Sequence, residues 1–267
     1  MTNSSTSESL SVLVLGGTGT IGRATVAALL ARGYQVVCVA RPKAGVGRKL
    51  NQQTTTDLLQ GAEVCFGNVT DATFLAETVF CDRQFDAVVS CMASRTGEPK
   101  DAWAIDFQAH SDVLALAKDA GVSQMVLLSA ICVQKPLLVF QHAKLAFEKE
   151  LVESGLTYSI VRPTAYFKSL AGQVERVKNG KPFFLFGDGT LTSCKPISDA
   201  DLANFLADCL EDTSLQNKIL PIGGPGPALT QLEQGEYLFK LLGREPRFKS
   251  VPASFLSKVA KFLDTIG

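Results

Sequence analysis

The chain has 267 residues, of which 46% are hydrophobic, and its 26 lysines and arginines balance its 26 aspartates and glutamates. A net charge of zero provides no basic surface for a phosphate backbone, so the composition argues against nucleic acid as a partner. No run of about 20 apolar residues is present that could span a membrane. The seven cysteines form no C-x-x-C pair and the two histidines stand apart, which predicts reduced thiols and no metal or iron–sulfur site.

The chain begins with a polar stretch, residues 1–9, which predicts a mobile tail without a targeting signal. An apolar strand at 12–15 and a helix with apolar residues at helical spacing follow it. The turn between them has the sequence Gly16-Gly17-Thr18-Gly19-Thr20-Ile21-Gly22. Glycine permits positive φ and a close approach of phosphate, and the N–H groups of the helix's first turn attract anions. We therefore predict that this turn binds the pyrophosphate of a dinucleotide; the alternative is a glycine-rich turn without a ligand.

Strand-like apolar runs then alternate with helical patterns up to residue 161. The predicted strands lie at 12–15, 35–40, 63–66, 86–90, 125–129 and 158–161, and the longest helical patterns at 101–120 and 137–154. This alternation predicts an α/β fold with a Rossmann-type, doubly wound parallel sheet, so that 10–161 form the dinucleotide-binding domain. Ligands should lie beyond the carboxyl ends of its strands.

From residue 162 onward, prolines separate shorter elements. The pattern predicts a hairpin around 186–189, helices at 199–210 and 231–242, and a short strand at 219–222. We expect 162–267 to form a smaller C-terminal lobe that packs on the first domain and shapes a substrate pocket.

The end of the second predicted strand indicates which cofactor is bound. NAD-preferring sites place a carboxylate there, about 20 residues beyond the glycines. In this chain the position holds Arg41, with Arg23, Lys43, Arg48 and Lys49 adding positive charge. A guanidinium matches a 2′-phosphate and has no use for a neutral hydroxyl. The sequence therefore predicts NADPH, and a solvated basic loop is the alternative.

Ser129 ends the fifth predicted strand and Lys144 follows one helix later, an arrangement that resembles the short-chain dehydrogenase/reductase superfamily. Members carry a serine and Tyr-x-x-x-Lys at these places, but Phe140 stands where the tyrosine would be. The resemblance implies that Ser129 contributes to the cofactor site and that Lys144 holds the nicotinamide ribose; the alternative for Lys144 is a lysine on the helix surface. Phenylalanine has no proton to give, which disfavours the reduction of ketones. Pro163 and Thr164 follow the sixth strand and are further candidates for cofactor contact.

Longer strings make the resemblance specific. The segments 128–138 (LSAICVQKPLL), 159–170 (SIVRPTAYFKSL), 172–175 (GQVE), 194–198 (CKPIS), 220–226 (LPIGGPG), 232–236 (LEQGE) and 242–245 (LGRE) are similar to the NADPH-dependent divinyl chlorophyllide a 8-vinyl reductases, a family of atypical, NmrA-like short-chain dehydrogenase/reductases. Plant members carry a long leader and a C-terminal extension. We therefore expect either a compact, cytoplasmic, bacterial-type member or a shortened chain, in a plastid if the source is eukaryotic and the leader has been processed.

The resemblance implies an enzyme that reduces a C=C bond, converting the 8-vinyl group of divinyl chlorophyllide or protochlorophyllide a to ethyl. Hydride added to the terminal vinyl carbon leaves negative charge that the macrocycle can spread, so no phenol is required at Phe140. The inner carbon then needs a proton, for which Tyr166 and Lys168 are candidates by position. The alternatives are that Tyr166 is only a packed ring and that Lys168 is only a solvated amine. A pigment substrate also predicts transient contact with a photosynthetic membrane, whereas the oligomeric state is left open.

Two other functions fit the same scaffold. One is a reductase of the NmrA or isoflavone-reductase type that acts on a smaller conjugated acceptor. The other is a protein without catalytic activity, such as an NADPH sensor or a photosystem assembly factor. Reduction of divinyl chlorophyllide in the presence of NADPH would distinguish the enzyme from both.

Overall fold

The computed structural model describes residues 9–44 and 50–252. Its strands are β1 (Ser11–Leu15), β2 (Gln35–Ala40), β3 (Glu63–Phe66), β4 (Ala87–Ser90), β5 (Gln124–Leu128), β6 (Thr157–Pro163), β7 (Phe183–Phe186), β8 (Ser193–Cys194), β9 (Lys218–Ile222), β10 (Leu229–Thr230) and β11 (Phe248–Val251). Its α-helices are α1 (Thr20–Ala31), α2 (Gln52–Leu58), α3 (Ala72–Phe74), α4 (Pro99–Ala102), α5 (Ala109–Asp119), α6 (Val139–Glu153), α7 (Phe167–Leu170), α8 (Val174–Lys178), α9 (Asp199–Glu211) and α10 (Gln231–Leu241). Two π-helical segments, Leu75–Val79 and Trp103–Gln108, continue α3 and join α4 to α5.

Within the described residues, seven parallel strands form one sheet in the order β3-β2-β1-β4-β5-β6-β9. The central strands β4 and β5 are buried along their whole length, because helices cover both faces of the sheet and the strands are apolar apart from Ser90 and Gln124. One side of the core contains Leu13 and Met125 from the sheet, Val113 from α5 and Phe147 from α6. The strand order reverses between β1 and β4, so the crevice beyond their carboxyl ends is the expected ligand site. The Rossmann-type fold predicted from the sequence is confirmed.

The chain forms two compact units, and the boundary between them differs from the predicted one. The first unit contains Met1–Pro163 together with Asp199–Ile222, and the second contains Thr164–Ser198 together with Gly223–Gly267. The predicted lobe 162–267 is therefore not a single continuous segment. The segment Asp199–Ile222 belongs to the first unit because β9 pairs in parallel with β6 and α9 packs along α1. Of the predicted tail, residues 1–8 lie outside the described residues.

The second unit is held by two pairs of short strands. β7 pairs in parallel with β11, and β8 pairs in an antiparallel manner with β10. The hairpin predicted around 186–189 is therefore wrong, although Gly187 and Gly189, with φ of 62° and 83°, do turn the chain there. Phe183 and Phe239 are buried in the small core of this unit. Across 9–44 and 50–252, no helix has the length and apolar character needed to cross a membrane.

Candidate active site

The turn between β1 and α1 is closed against the chain's own backbone. Gly16 has a φ of 75°, and a Cβ there would lie 2.8 Å from the carbonyl carbon of Cys91, just beyond β4. A Cβ on Gly22 would lie 2.1 Å from the carbonyl oxygen of Gly16. Real Cβ atoms do not approach backbone this closely, so a side chain at either position would push α1 away from the sheet. Only glycine allows this turn.

The N-terminus of α1 emerges from that turn, and its N-cap residue makes no side-chain capping hydrogen bond. Its N-cap residue is the exposed Gly19, and the first turn of the helix contains no acidic residue. Gly17 and Ile21 are buried, whereas Thr18 and Thr20 are half-buried. An uncapped helix start attracts anions through its N–H groups and its dipole. The residues of this turn therefore fit the phosphates of a dinucleotide.

Arg23 and Arg41 are the two arginines predicted to favour NADPH that lie within the described residues. The Nε atom of Arg23 is buried and has no hydrogen-bond partner among the described residues. Arg41 is exposed directly after β2 and interacts electrostatically with Asp101. The N–H of Thr96 and, more weakly, the charge of Arg41 hold the pKa of the Asp101 carboxyl below its usual range. Sequence reasoning missed this acid because it lies far along the chain, beyond β4. The predicted basic residues 48 and 49 lie outside the described residues.

Lys144 forms a buried ion pair that the sequence did not reveal. Its Nζ lies 3.0 Å from Oδ1 of Asp106, and only 10% of the lysine side chain and none of the aspartate side chain is exposed. The same Oδ1 accepts a hydrogen bond from the N–H of Ser94 at 3.2 Å. Asp106 lies in the π-helical segment Trp103–Gln108. Because a π-turn changes which residues face inward, a continuous helical pattern over 101–120 could not indicate that Asp106 points toward Lys144.

His110 lies next to this pair and is held as a neutral ring. Its Nδ1 lies 2.8 Å from the carbonyl oxygen of Ile105, and its Nε2 lies 2.7 Å from the hydroxyl of Ser90. Since a carbonyl can only accept, we assign the ring proton to Nδ1, and the hydroxyl of Ser90 donates to Nε2. Burial, and to a smaller extent the charge of Lys144, lower the pKa of His110 to about 4. The ring therefore fixes the end of β4 without carrying charge at neutral pH.

Ser129 is engaged by a second buried ion pair. Its hydroxyl donates to Oε1 of Glu148 at 2.5 Å, and its N–H donates to the carbonyl oxygen of Val161 at 2.7 Å. Arg162 donates through Nε to the same Oε1 at 3.2 Å and through Nη2 to Oε2. Glu148 is 3% exposed. The hydroxyl for which the family resemblance implies a cofactor role is thus bonded within the protein, and that role stays a prediction.

Two more predicted residues lie in the first unit. Phe140 is half-buried in the first turn of α6, four residues before Lys144, and its ring faces the loop at Gly97. Pro163 is buried at the end of β6, where it pairs with Ile222 of β9. The phenylalanine therefore shares the helix face that carries Lys144.

The remaining predicted residues, Thr164, Tyr166 and Lys168, belong to the second unit. The hydroxyl of Thr164 donates to the carbonyl oxygen of Lys195. Tyr166 is half-buried and forms a parallel bridge with Ile197, whereas Lys168 is exposed in α7. The cofactor contact of Thr164 and the proton-donor roles of Tyr166 and Lys168 stay predictions.

Cysteines and histidines build no recognisable metal centre in the part of the chain that the structure describes. No group of three or more His, Cys, Asp or Glu side chains lies close enough there to hold a metal ion. The cysteines are free thiols, of which Cys38, Cys65 and Cys209 are buried while Cys81 and Cys132 are exposed.

Comparison with known proteins places these features in context. The family described as NAD(P)H-binding matches residues 16–213. The chloroplastic divinyl chlorophyllide a 8-vinyl-reductase of Arabidopsis thaliana is 53% identical over 264 residues, which cover 96% of this chain and 63% of the relative. The enzyme of that name from Oryza sativa subsp. indica is 54% identical over 261 residues, which cover 96% of this chain and 64% of that relative. This chain thus spans less than two thirds of either relative. The solved structure of AtPrR2 with NADP+ and (+)pinoresinol superposes with a TM-score of 0.71 at 24% identity, covering 92% of this chain and 80% of that one.

Proposed function

Because this chain belongs to the NAD(P)H-binding family, we propose that it is an NADPH-dependent reductase that converts the 8-vinyl group of divinyl chlorophyllide a to ethyl. The observation that carries the proposal is the 53% identity, over 96% of the chain, to a relative named for that reaction. Divinyl protochlorophyllide a, which bears the same vinyl group, is included as a substrate in the proposal.

We assign the cofactor to the carboxyl edge of the sheet in the first unit. The uncapped start of α1 and the closed glycine turn support phosphate binding there. In this assignment Arg41 and Arg23 bind the 2′-phosphate, and Lys144 binds a ribose hydroxyl. The cofactor supplies a hydride when bound.

The nature of the side chains on α6 supports a carbon rather than a carbonyl acceptor. Phe140 occupies the position from which a tyrosine would protonate an oxygen, and its ring has no proton to give. Lys144 is paired with Asp106, so its charge is compensated inside the protein. A site without a proton donor at 140 and with the lysine charge neutralised suits a reaction in which the negative charge spreads over a conjugated macrocycle. Such a reaction needs no fixed charge beside the reacting carbon to stabilise it.

Conversion of a vinyl group to ethyl takes one hydride and one proton. Tyr166 and Lys168 are our two candidate proton donors, and water is the third. Substitution distinguishes them: Tyr166→Phe or Lys168→Met should abolish turnover of the vinyl substrate only if the altered residue supplies the proton. Unchanged turnover in both variants would assign the proton to water.

A chlorophyll precursor partitions into lipid, so we propose transient contact with photosynthetic membranes. The relatives described above are named as chloroplastic proteins, which agrees with that location. Leu137 and Leu138, which are 87% and 58% exposed before α6, provide apolar side chains suited to such contact.

The decisive experiment uses the purified chain with NADPH and divinyl chlorophyllide a. We expect a blue shift of the Soret band and a product heavier by two hydrogens, with NADH as the matched control for cofactor choice. Binding of NADPH without any shift would favour a sensor or an assembly factor on this fold. Reduction of a small conjugated acceptor in place of the pigment would favour the isoflavone-reductase type.

A further inference from the structure

The carboxylate of Asp106 joins two segments that both border the proposed cofactor site. Its Oδ1 accepts hydrogen bonds from Nζ of Lys144 at 3.0 Å and from the N–H of Ser94 at 3.2 Å. Ser94 belongs to the loop after β4, and the start of the same loop, at Cys91, is where Gly16 packs. One buried carboxylate therefore fixes the lysine of α6 relative to the loop that supports the glycine turn.

This arrangement is not what packing alone would favour. Burying two charges is costly, and an apolar pair of similar volume would often be at least as stable. Oδ2 of Asp106 is also buried without a hydrogen-bond partner within the described residues. In addition, the residue lies in the π-helical segment Trp103–Gln108. π-turns are frequent at functional sites, and a buried polar atom without a partner calls for an explanation, so two independent observations point to a role beyond folding.

The surroundings of Lys144 identify Asp106 as its counter-charge. His110, which lies beside the ion pair, is neutral because its Nδ1 donates to the carbonyl of Ile105 and its Nε2 accepts from Ser90. Without a carboxylate, an ammonium that is only 10% exposed would tend to leave its place for solvent. An ammonium held by Oδ1 still has further N–H donors for a ligand, and because its position is already fixed it loses less entropy on binding.

We propose that Asp106 is a positioning residue that acts through Lys144: it fixes the ammonium that binds the ribose hydroxyls of the nicotinamide cofactor. The inference rests on the proposed cofactor role of Lys144. It extends that role to a carboxylate for which the sequence pattern gives no signal.

A double-mutant cycle tests this role. NADPH dissociation constants are measured for the wild type, Asp106→Asn, Lys144→Met and the double variant, with thermal unfolding of each measured in parallel. We expect each single variant to bind NADPH about tenfold more weakly, and the double variant to bind no more weakly than Lys144→Met. Asp119→Asn, an exposed residue at the end of α5, is the matched control and should bind as the wild type does.

Additive losses would overturn the proposal, because a carboxylate with a merely structural role weakens binding whether or not Lys144 is present. Should Asp106→Asn fail to fold, the comparison of the double variant with Lys144→Met still decides: the double variant buries neither an unpaired lysine nor an unpaired carboxylate, and the parallel thermal unfolding shows whether Lys144→Met, which leaves Asp106 unpaired, is folded. The test is separable from the proposed reaction. If the wild type binds NADPH but does not reduce the vinyl group, the proposed reaction fails while the cycle still stands; if it binds no NADPH, both fail.

Discussion

Two glutamates on α6 allow a direct test of what the buried polar groups contribute to stability. Glu148 is 4% exposed by side chain, pairs with Arg162 and accepts from Ser129, whereas Glu153 is 65% exposed and lies 3.9 Å from Lys149. Replacing each by glutamine keeps the shape and removes one negative charge. Because Glu148→Gln leaves a largely buried guanidinium, that of Arg162, without its counter-charge, it should cost about 3–5 kcal/mol. Glu153→Gln should cost less than about 0.5 kcal/mol, because water and salt screen the exposed pair.

Thermal unfolding at neutral pH measures the difference. At roughly 2–4 °C per kcal/mol for a domain of about 200 residues, Glu148→Gln should lower Tm by about 10 °C, and Glu153→Gln by no more than about 2 °C. Urea unfolding with an unchanged m-value would show that the folded state, and not the compactness of the unfolded chain, accounts for the loss. Equal and small effects of the two substitutions would refute the reasoning, since burial would then not increase the contribution of the carboxylate to the free energy of unfolding.

Further substitutions test the cofactor site and its surroundings. Wild type should bind NADPH more tightly than NADH by on the order of 2 kcal/mol, and Arg41→Asp should shrink or reverse that preference; equal wild-type affinities for the two would contradict the role of Arg41. Gly22→Ala should abolish NADPH binding because its Cβ would meet backbone at 2.1 Å, whereas Gly33→Ala, with a φ of 84° and open space around it, should cost only about 1 kcal/mol of stability and leave binding intact. Phe140→Tyr should not accelerate vinyl reduction, and a marked rise in kcat would show that a phenol is useful there. His110 has a folded-state pKa of about 4, below its ordinary value, so the unfolded chain takes up its proton first and stability should fall as pH drops from about 6.5 towards 4. In His110→Gln the slope of Tm against pH over that interval should be smaller, and an unchanged slope would mean that His110 does not titrate as a buried neutral ring.

The sheet could be predicted from the sequence because its signal is local. Each strand is a short β-branched or apolar run, and right-handed crossovers leave few ways to arrange such runs around a glycine turn. The sequence also predicts the strand at 219–222, but it does not predict which strand pairs with it. Its pairing with β6 depends on a register between residues such as Val161 and Leu220 that no local pattern contains. For the same reason the chain turns at Gly187, yet β7 pairs with β11 instead of folding back on the next strand.

In the candidate site, too, local motifs can be predicted from the sequence, whereas contacts between distant segments cannot. The glycine turn and Arg41 could be proposed as cofactor-binding candidates because short motifs carry their own chemical meaning. Asp106 and Glu148 could not be proposed in this way, because an acidic residue in a predicted helix is normally assigned to the solvent-exposed face. Only the tertiary structure shows which face of the helix is buried. The π-helical segment adds a second obstacle, because it rotates Asp106 away from the position that a regular helix would give it.

The spacing along α6 relates these buried acids to the substitution at position 140. Phe140, Lys144 and Glu148 follow at intervals of four residues and so share one helix face. On that face the charge of Lys144 is matched by Asp106, and the charge of Glu148 by Arg162. A tyrosine at 140 would add an ionisable hydroxyl beside an ammonium whose charge is already balanced. The phenylalanine therefore accompanies two ion pairs that hold the charged groups of α6 in place, and under the proposed function the proton would come from a residue elsewhere or from water.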